Sequence, residues 1–175
     1  MHGLTIRLLE SRDIQPIASA FAAISGNKPA AQYERYLAEQ QRGERTVLVA
    51  FEHAAFAGYL TIAWESGYRP FRDAGVPEIV DFNVLPQRRR RGIGSLLLDE
   101  AERWIAKRSA EAGIGVGMDP DYGAAQRLYV KRGYIPDGRG LSYHGNPVAW
   151  GDRVIVDDGL VLHLTKALRR SNARR

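Results

Sequence analysis

The sequence predicts one α/β domain built on a mixed, mostly antiparallel sheet of about six or seven strands with a single parallel pair, flanked by about four helices. Three observations carry that reading. Apolar, β-prone runs over 46–51 and 57–64 are joined by a short connection, so they read as an antiparallel hairpin. A strand over 77–85, a helix over about 92–110 and a short strand over 114–118 make a crossover of the length that joins parallel strands right-handedly. A chain of 175 residues buries one good core and is too short for two ordinary ones. The expected organisation is a single domain over 1–168 with a basic, frayed tail over 169–175.

Composition narrows the function classes. With 45% hydrophobic and 26% charged residues the chain is neither disordered nor membranous. The absence of cysteine excludes disulfides, thiolate metal sites and an acyl-cysteine route. His2, His53, His144 and His163 lack paired ligand spacing, so no metal is expected. No charged leader with an apolar run opens the chain and no apolar stretch spans a bilayer, which predicts a cytoplasmic protein without a membrane partner. The net charge of +5 suits a polyanionic ligand or a nucleic-acid surface. Much of that charge is concentrated in Arg88 to Arg91 and the tail.

In chain order, Thr5 to Leu9 reads as a first strand and Ser11 as the cap of a helix over about 13–24, where Ile14, Ile17, Ala18, Phe21 and Ala22 share one face. A second helix over about 30–42 sets Tyr33, Tyr36 and Leu37 on one side, before Gly43. The segment 66–76 reads as a long loop of the kind that lines binding sites. The helix over 92–110 aligns Leu97, Ala101, Trp104 and Ile105, pairs Asp99 with Arg103, and ends at Gly113. A last helix runs from Pro120 or Tyr122 to Arg132 with Gly133 as its cap. The segment 137–158 reads as a loop or ragged β-excursion, and Leu160 to Thr165 as the closing strand.

The most informative stretch is Asp81-Phe82-Asn83-Val84-Leu85-Pro86 followed by Gln87-Arg88-Arg89-Arg90-Arg91-Gly92-Ile93-Gly94-Ser95. Pro86 stops the strand, and the glycines let the backbone approach a ligand closely. The first N–H groups of the helix that follows lack intrahelical acceptors and sit at its positive end, so the turn reads as an anion cradle. Arg89 to Gly94 resembles the Gln/Arg-x-x-Gly-x-Gly/Ala motif of the GNAT superfamily of N-acetyltransferases. Ala124-Ala125-Gln126-Arg127-Leu128-Tyr129 with Gly133-Tyr134 is similar to the Ala-x-x-Leu-Tyr…Gly-Phe/Tyr segment that closes the same core.

The resemblance implies a GNAT-like fold and acetyl-coenzyme A as co-substrate, with direct transfer to an amine of a small molecule or peptide in a ternary complex. Arg89, Arg90, Arg91, Gly92, Ile93, Gly94 and Ser95 would hold the pyrophosphate, and Phe82 and Val84 the pantetheine arm. Val84 N–H would serve the oxyanion and Tyr129 would be the general acid. Glu78, on the Phe82/Val84 side by strand alternation, stands where some members place a base, with Asp81 on the other face and Glu65 as further carboxylates. The helix pair over 13–42 would roof the acceptor site. Tyr122 replaces the asparagine many relatives carry, leaving it to stack along the arm or simply pack, with Ala125 beside it in the motif. A homodimer is compatible with this reading. The alternatives are a nucleic-acid-binding module using Arg88 to Arg91 and the tail, or a coenzyme-binding sensor without turnover.

Overall fold

The computed structural model describes residues 3–24 and 28–168; the tail expected over 169–175 lies outside them. Thirteen elements follow in order: β1 (Leu4–Leu8), α1 (Ile14–Ala22), α2 (Ala30–Gln41), β2 (Arg45–Glu52), β3 (Ala55–Ala63), α3 (Arg69–Ala74), β4 (Glu78–Val84), α4 (Ile93–Ala106), β5 (Glu111–Gly117), α5 (Gly123–Lys131), β6 (Ile135–Tyr143), β7 (Asn146–Pro147) and β8 (Leu160–Ala167). The strands form one mixed sheet in the order β1-β2-β3-β4-β5-β8-β6-β7. That is eight strands rather than six or seven, because the 137–158 segment contributes most of β6 and the two-residue β7. The chain divides into two compact units, Met1–Trp64 with Val80–Arg103, and Glu65–Ile79 with Trp104–Arg175.

In the first unit β1, β2 and β3 are antiparallel neighbours, with Leu4 opposite Glu52 and Arg45 opposite Ala63. The predicted hairpin is therefore present. One face is apolar: Ile14, Ile17 and Phe21 of α1 and Tyr33 and Tyr36 of α2 form a buried cluster with Val47, Val49, Phe56 and Tyr59. Its rings meet edge to face, Phe21 on Tyr59 at 5.8 Å and Tyr33 on Tyr59 at 5.5 Å, the arrangement that aromatic quadrupoles favour. Before α1 a 3-10 turn over Ser11–Asp13 takes its cap from Glu10 rather than Ser11, and the Glu10 N–H donates to the buried Asp13 carboxylate at 2.9 Å.

In the second unit β4 pairs parallel with β5 through Glu78 opposite Gly113 and Ile79 opposite Ile114, the expected parallel pair. β5 then runs antiparallel to β8, and β8 to β6. Two expectations need correcting here. Gly113 does not end a helix; it sits inside β5, where the Phe71 ring occupies the space a Cβ would take. The segment 66–76 is not an unstructured loop, because Arg69–Ala74 is helical, with Pro70 in its first turn and Gly75 closing it at φ +65°. Leu97, Ala101 and Ile105 of α4 are fully buried as their spacing requires, and Arg103 pairs with Glu100 while its Nε reaches the Asp99 carbonyl.

Candidate active site

The turn after β4 brings two left-handed residues to the start of α4. Pro86–Arg88 forms a 3-10 turn; Arg90 then takes φ +62° and Gly92 φ +78°, before α4 begins at Ile93. The first N–H groups of α4 lack intrahelical acceptors and sit at its positive end, beside this turn. An added Cβ at Gly92 would meet nothing within 4 Å, so glycine is needed there for its backbone angle and the space beside the turn is open. The arginine run is not uniformly available for a ligand. Arg88 and Arg91 both bind the Glu52 carboxylate, at 2.5 and 2.6 Å, and these guanidiniums hold Glu52 below the ordinary carboxylate range against its desolvation. Arg89 Nε donates to the Val84 carbonyl at 3.1 Å, while Arg90 is exposed. Glu52 lies 36 residues from Arg88, and nothing in the local pattern announces the pairing.

Strand β4 is kinked just before the cradle. Asp81 takes φ +48°, a left-handed conformation that short polar side chains tolerate better than most. Period-2 alternation does not pass through such a residue, so the inference that Glu78 shares a face with Phe82 and Val84 loses its footing. Beyond the kink, β3 crowds β4: a Cβ at Gly58 would lie 2.6 Å from the Asn83 carbonyl oxygen and 3.0 Å from Val84 Cα. Phe82, Val84, Gly94 and Ser95 are all half-buried.

The Asp81 carboxylate was missed as a centre. Oδ1 accepts from Lys28 Nζ at 2.5 Å and Asn83 Nδ2 at 2.8 Å. Oδ2 accepts from Tyr59 at 2.5 Å, Gln32 at 2.8 Å and Tyr36 at 3.0 Å. Burial is the largest influence on the Tyr59, Tyr36 and Tyr33 phenols and pushes all three up, so they stay protonated as donors. A sequence signal existed in Gln32, Tyr33 and Tyr36 on one helix, but that spacing reads as core.

Glu78 is buried in the second unit. Ser66 donates to its Oε2 at 2.5 Å and His163 Nε2 lies 3.8 Å from Oε1. Desolvation pushes the Glu78 carboxyl up, and burial pushes His163 down to about 4. Each group is thus biased to its neutral form, and the contact is not an ion pair. His163 stacks on Tyr68 with ring centroids 3.5 Å apart and meets Ser142 at 3.3 Å. Glu65 is exposed.

On α5, Tyr129 is almost fully buried, and its phenol is pushed up, first by burial and then by Tyr122. Gly133 closes the helix at φ +85°, as its position predicted. Tyr122 packs against β5 at Gly117, where an added Cβ would meet its ring at 2.5 Å, and its hydroxyl donates to Asp158 at 3.0 Å. Gln126 Nε2 donates to the Gly117 carbonyl at 2.8 Å, which joins α5 to β5, and Ala125 is half-buried on the same helix.

Residues 13–134, most of the chain, match the model of the acetyltransferase (GNAT) family. The chain belongs to the GNAT acetyltransferase family. Membership carries the enzyme class that the two motifs implied, an acetyltransferase using acetyl-coenzyme A. Solved structures share the fold at low identity. An N-acetyltransferase from Staphylococcus aureus Mu50 aligns at 18% identity with a TM-score of 0.69, covering 95% of this chain and 99% of that one. A ribosomal-protein-alanine N-acetyltransferase from Brucella melitensis aligns at 18% identity and TM-score 0.70, covering 94% and 99%. YncA from Salmonella typhimurium, solved with acetyl-coenzyme A, aligns at 20% identity and TM-score 0.64, covering 98% of each. Among curated protein sequences none matches this GNAT chain. No described helix is long and apolar enough to cross a membrane, and no described group of three His, Asp or Glu residues is arranged to hold a metal.

Proposed function

We propose that this chain moves the acetyl group of acetyl-coenzyme A directly to a primary amine of a small molecule or peptide, in a ternary complex. The observation that carries the reading is the turn with left-handed Arg90 and Gly92, which leads into the N-terminus of α4. Such a turn fits a diphosphate, with main-chain amides of residues 90–95 as donors and the Arg89 and Arg90 guanidiniums as counter-charge. Arg91 adds its amide while its side chain stays on Glu52.

The coenzyme supplies a thioester, whose carbonyl the amine attacks as the C–S bond breaks. The chain's own residues supply the rest. The main chain of Phe82 and Val84 pairs with the pantetheine arm, and Val84 N–H donates to the developing oxyanion. Tyr122 and Ala125 add contacts to the coenzyme from the start of α5. Glu78, with its raised proton affinity, accepts the proton the amine must lose, directly or through water. Tyr129, held neutral by burial, returns a proton to the departing thiolate.

The test is release of coenzyme A thiol from the acetyl thioester against a panel of primary amines, with products identified by mass spectrometry. Turnover with at least one amine is expected, and Tyr129→Phe should lower kcat by about 10²-fold or more while leaving coenzyme Kd unchanged. Absence of both turnover and a coenzyme-dependent thermal shift overturns the reading; equal kcat for the two forms removes the acid role.

A further inference from the structure

Asp81 is the centre of a built ammonium site in the first unit. Five donors converge on one carboxylate, against the roughly four lone-pair sites a carboxylate offers. Four of them are neutral and stand on regular elements: Gln32 and Tyr36 on α2, Tyr59 on β3 and Asn83 on β4. They serve both oxygens but bring no positive charge. The fifth donor, the Lys28 ammonium, balances it.

The place where that ammonium sits has the chemistry of a cation receptor. Lys28 Nζ touches Asp81 Oδ1 at 2.5 Å and the Tyr59 hydroxyl at 3.0 Å. It also lies 5.6 Å from the ring centroids of both Phe21 and Tyr59, within reach of cation–π attraction. Tyr59 is fully buried and Tyr36 nearly so, which fixes the donors before any ligand arrives. Lys28 differs from the other donors in two respects. It stands outside the helices and strands, two residues before α2, and its side chain is 23% exposed. Because Asn83 still serves Oδ1 and three neutral donors serve Oδ2, an ammonium can leave without stranding an oxygen. A free anion in this half-buried place needs another monocation in its stead.

We infer that the cage of Asp81, Tyr59, Tyr36 and Phe21 binds the unbranched primary ammonium of an external ligand, and that Lys28 occupies it as an internal competitor until that ligand displaces it. Identifying the ligand with the acetyl acceptor rests on the acetyl-transfer reading. Asp81 is next in the chain to Phe82, to which that reading assigns the pantetheine arm. The ammonium site itself rests on the geometry of the first unit alone.

The probe is n-butylammonium, which reproduces the Lys28 arm, titrated by calorimetry without coenzyme into the wild type, Lys28→Ala and Lys28→Ala/Asp81→Asn. Removing the competitor should tighten binding by about tenfold or more, since an occupied site lowers apparent affinity by the fraction left open. The double variant should bind no more than background. In the wild type, the Lys28 Cε–H NMR cross-peak should move saturably toward those of exposed lysines as n-butylammonium is added, a readout that does not depend on the variants folding. Three results overturn the inference: equal affinity of the wild type and a folded Lys28→Ala, binding that survives Asp81→Asn, or an unmoved Lys28 resonance at saturation. Coenzyme A titrated separately tells the two readings apart. Coenzyme binding without n-butylammonium binding sinks only this site, and the reverse sinks only the acetyl-transfer reading.

Discussion

Glu78 occupies the proposed base position with a carboxyl whose anion folding disfavours. Its desolvation outweighs the hydrogen bond from Ser66, so its folded pKa is raised. A carboxyl raised above its unfolded value stabilises the fold at low pH, and that contribution is lost as pH rises through the folded pKa. Above its unfolded pKa the buried Glu78 carboxyl is therefore a burden on stability that a base has to carry. Glu78→Gln keeps an acceptor for Ser66 and removes the charge. The variant is expected to be more stable than the wild type at about pH 8 by urea titration, yet to lose about 10²-fold or more in kcat, with the rising alkaline limb of its pH–rate profile gone. A variant that gains stability and keeps its rate makes Glu78 a structural carboxyl and moves the proton elsewhere.

At the level of the element, the cradle is where a single backbone angle carries most. Gly92 at φ +78° meets no neighbour, so Gly92→Ala tests conformation apart from crowding. The substitution should cost about 1 kcal/mol in stability by urea titration, and coenzyme A should bind more weakly as the turn relaxes. Unchanged affinity would detach the turn from the coenzyme. Elements like this one were legible in the sequence because their signals are local: Pro86, the glycines and the Leu-rich periodicity of α4 lie within a few residues of one another. The β2–β3 hairpin and the Gly133 cap were legible for the same reason. What was not legible depends on partners far along the chain. Gly113 looks like a helix stop until Phe71 is seen to fill the place of its side chain. Glu52 gives no local sign that it holds Arg88 and Arg91. Asp81 is left-handed within its strand, so alternation is no guide to faces across the residue that organises the polar cluster.

Across the whole molecule, 25 basic residues against 20 acidic ones give the +5 charge, and several carboxylates are held in internal pairs, as Asp13 is by Arg7, Glu39 by Arg45 and Glu52 by Arg88 and Arg91. Acid therefore attacks the fold at Asp13 and Glu52, whose carboxyls their arginine partners hold low against desolvation, and it also attacks His163. His163 faces Tyr68 and Phe71 from the α3 segment, Ser142 from β6 and Glu78 from β4, with Asp137 near enough to oppose its depression. Burial nevertheless holds its pKa down to about 4. A histidine depressed in the folded state takes its proton first in the unfolded one. Its contribution is whole above the unfolded value of about 6.5 and drains away as pH falls toward 4. Glu78 works in the opposite sense, so the two partly mask each other in the wild type. Silencing the carboxyl exposes the imidazole: in a Glu78→Gln background, stability should drop by about 2 kcal/mol more between about pH 7 and about pH 5 than in Glu78→Gln/His163→Phe, by urea titration at each pH. Equal pH dependence in the two backgrounds would mean that His163 reaches water and titrates as an ordinary surface imidazole.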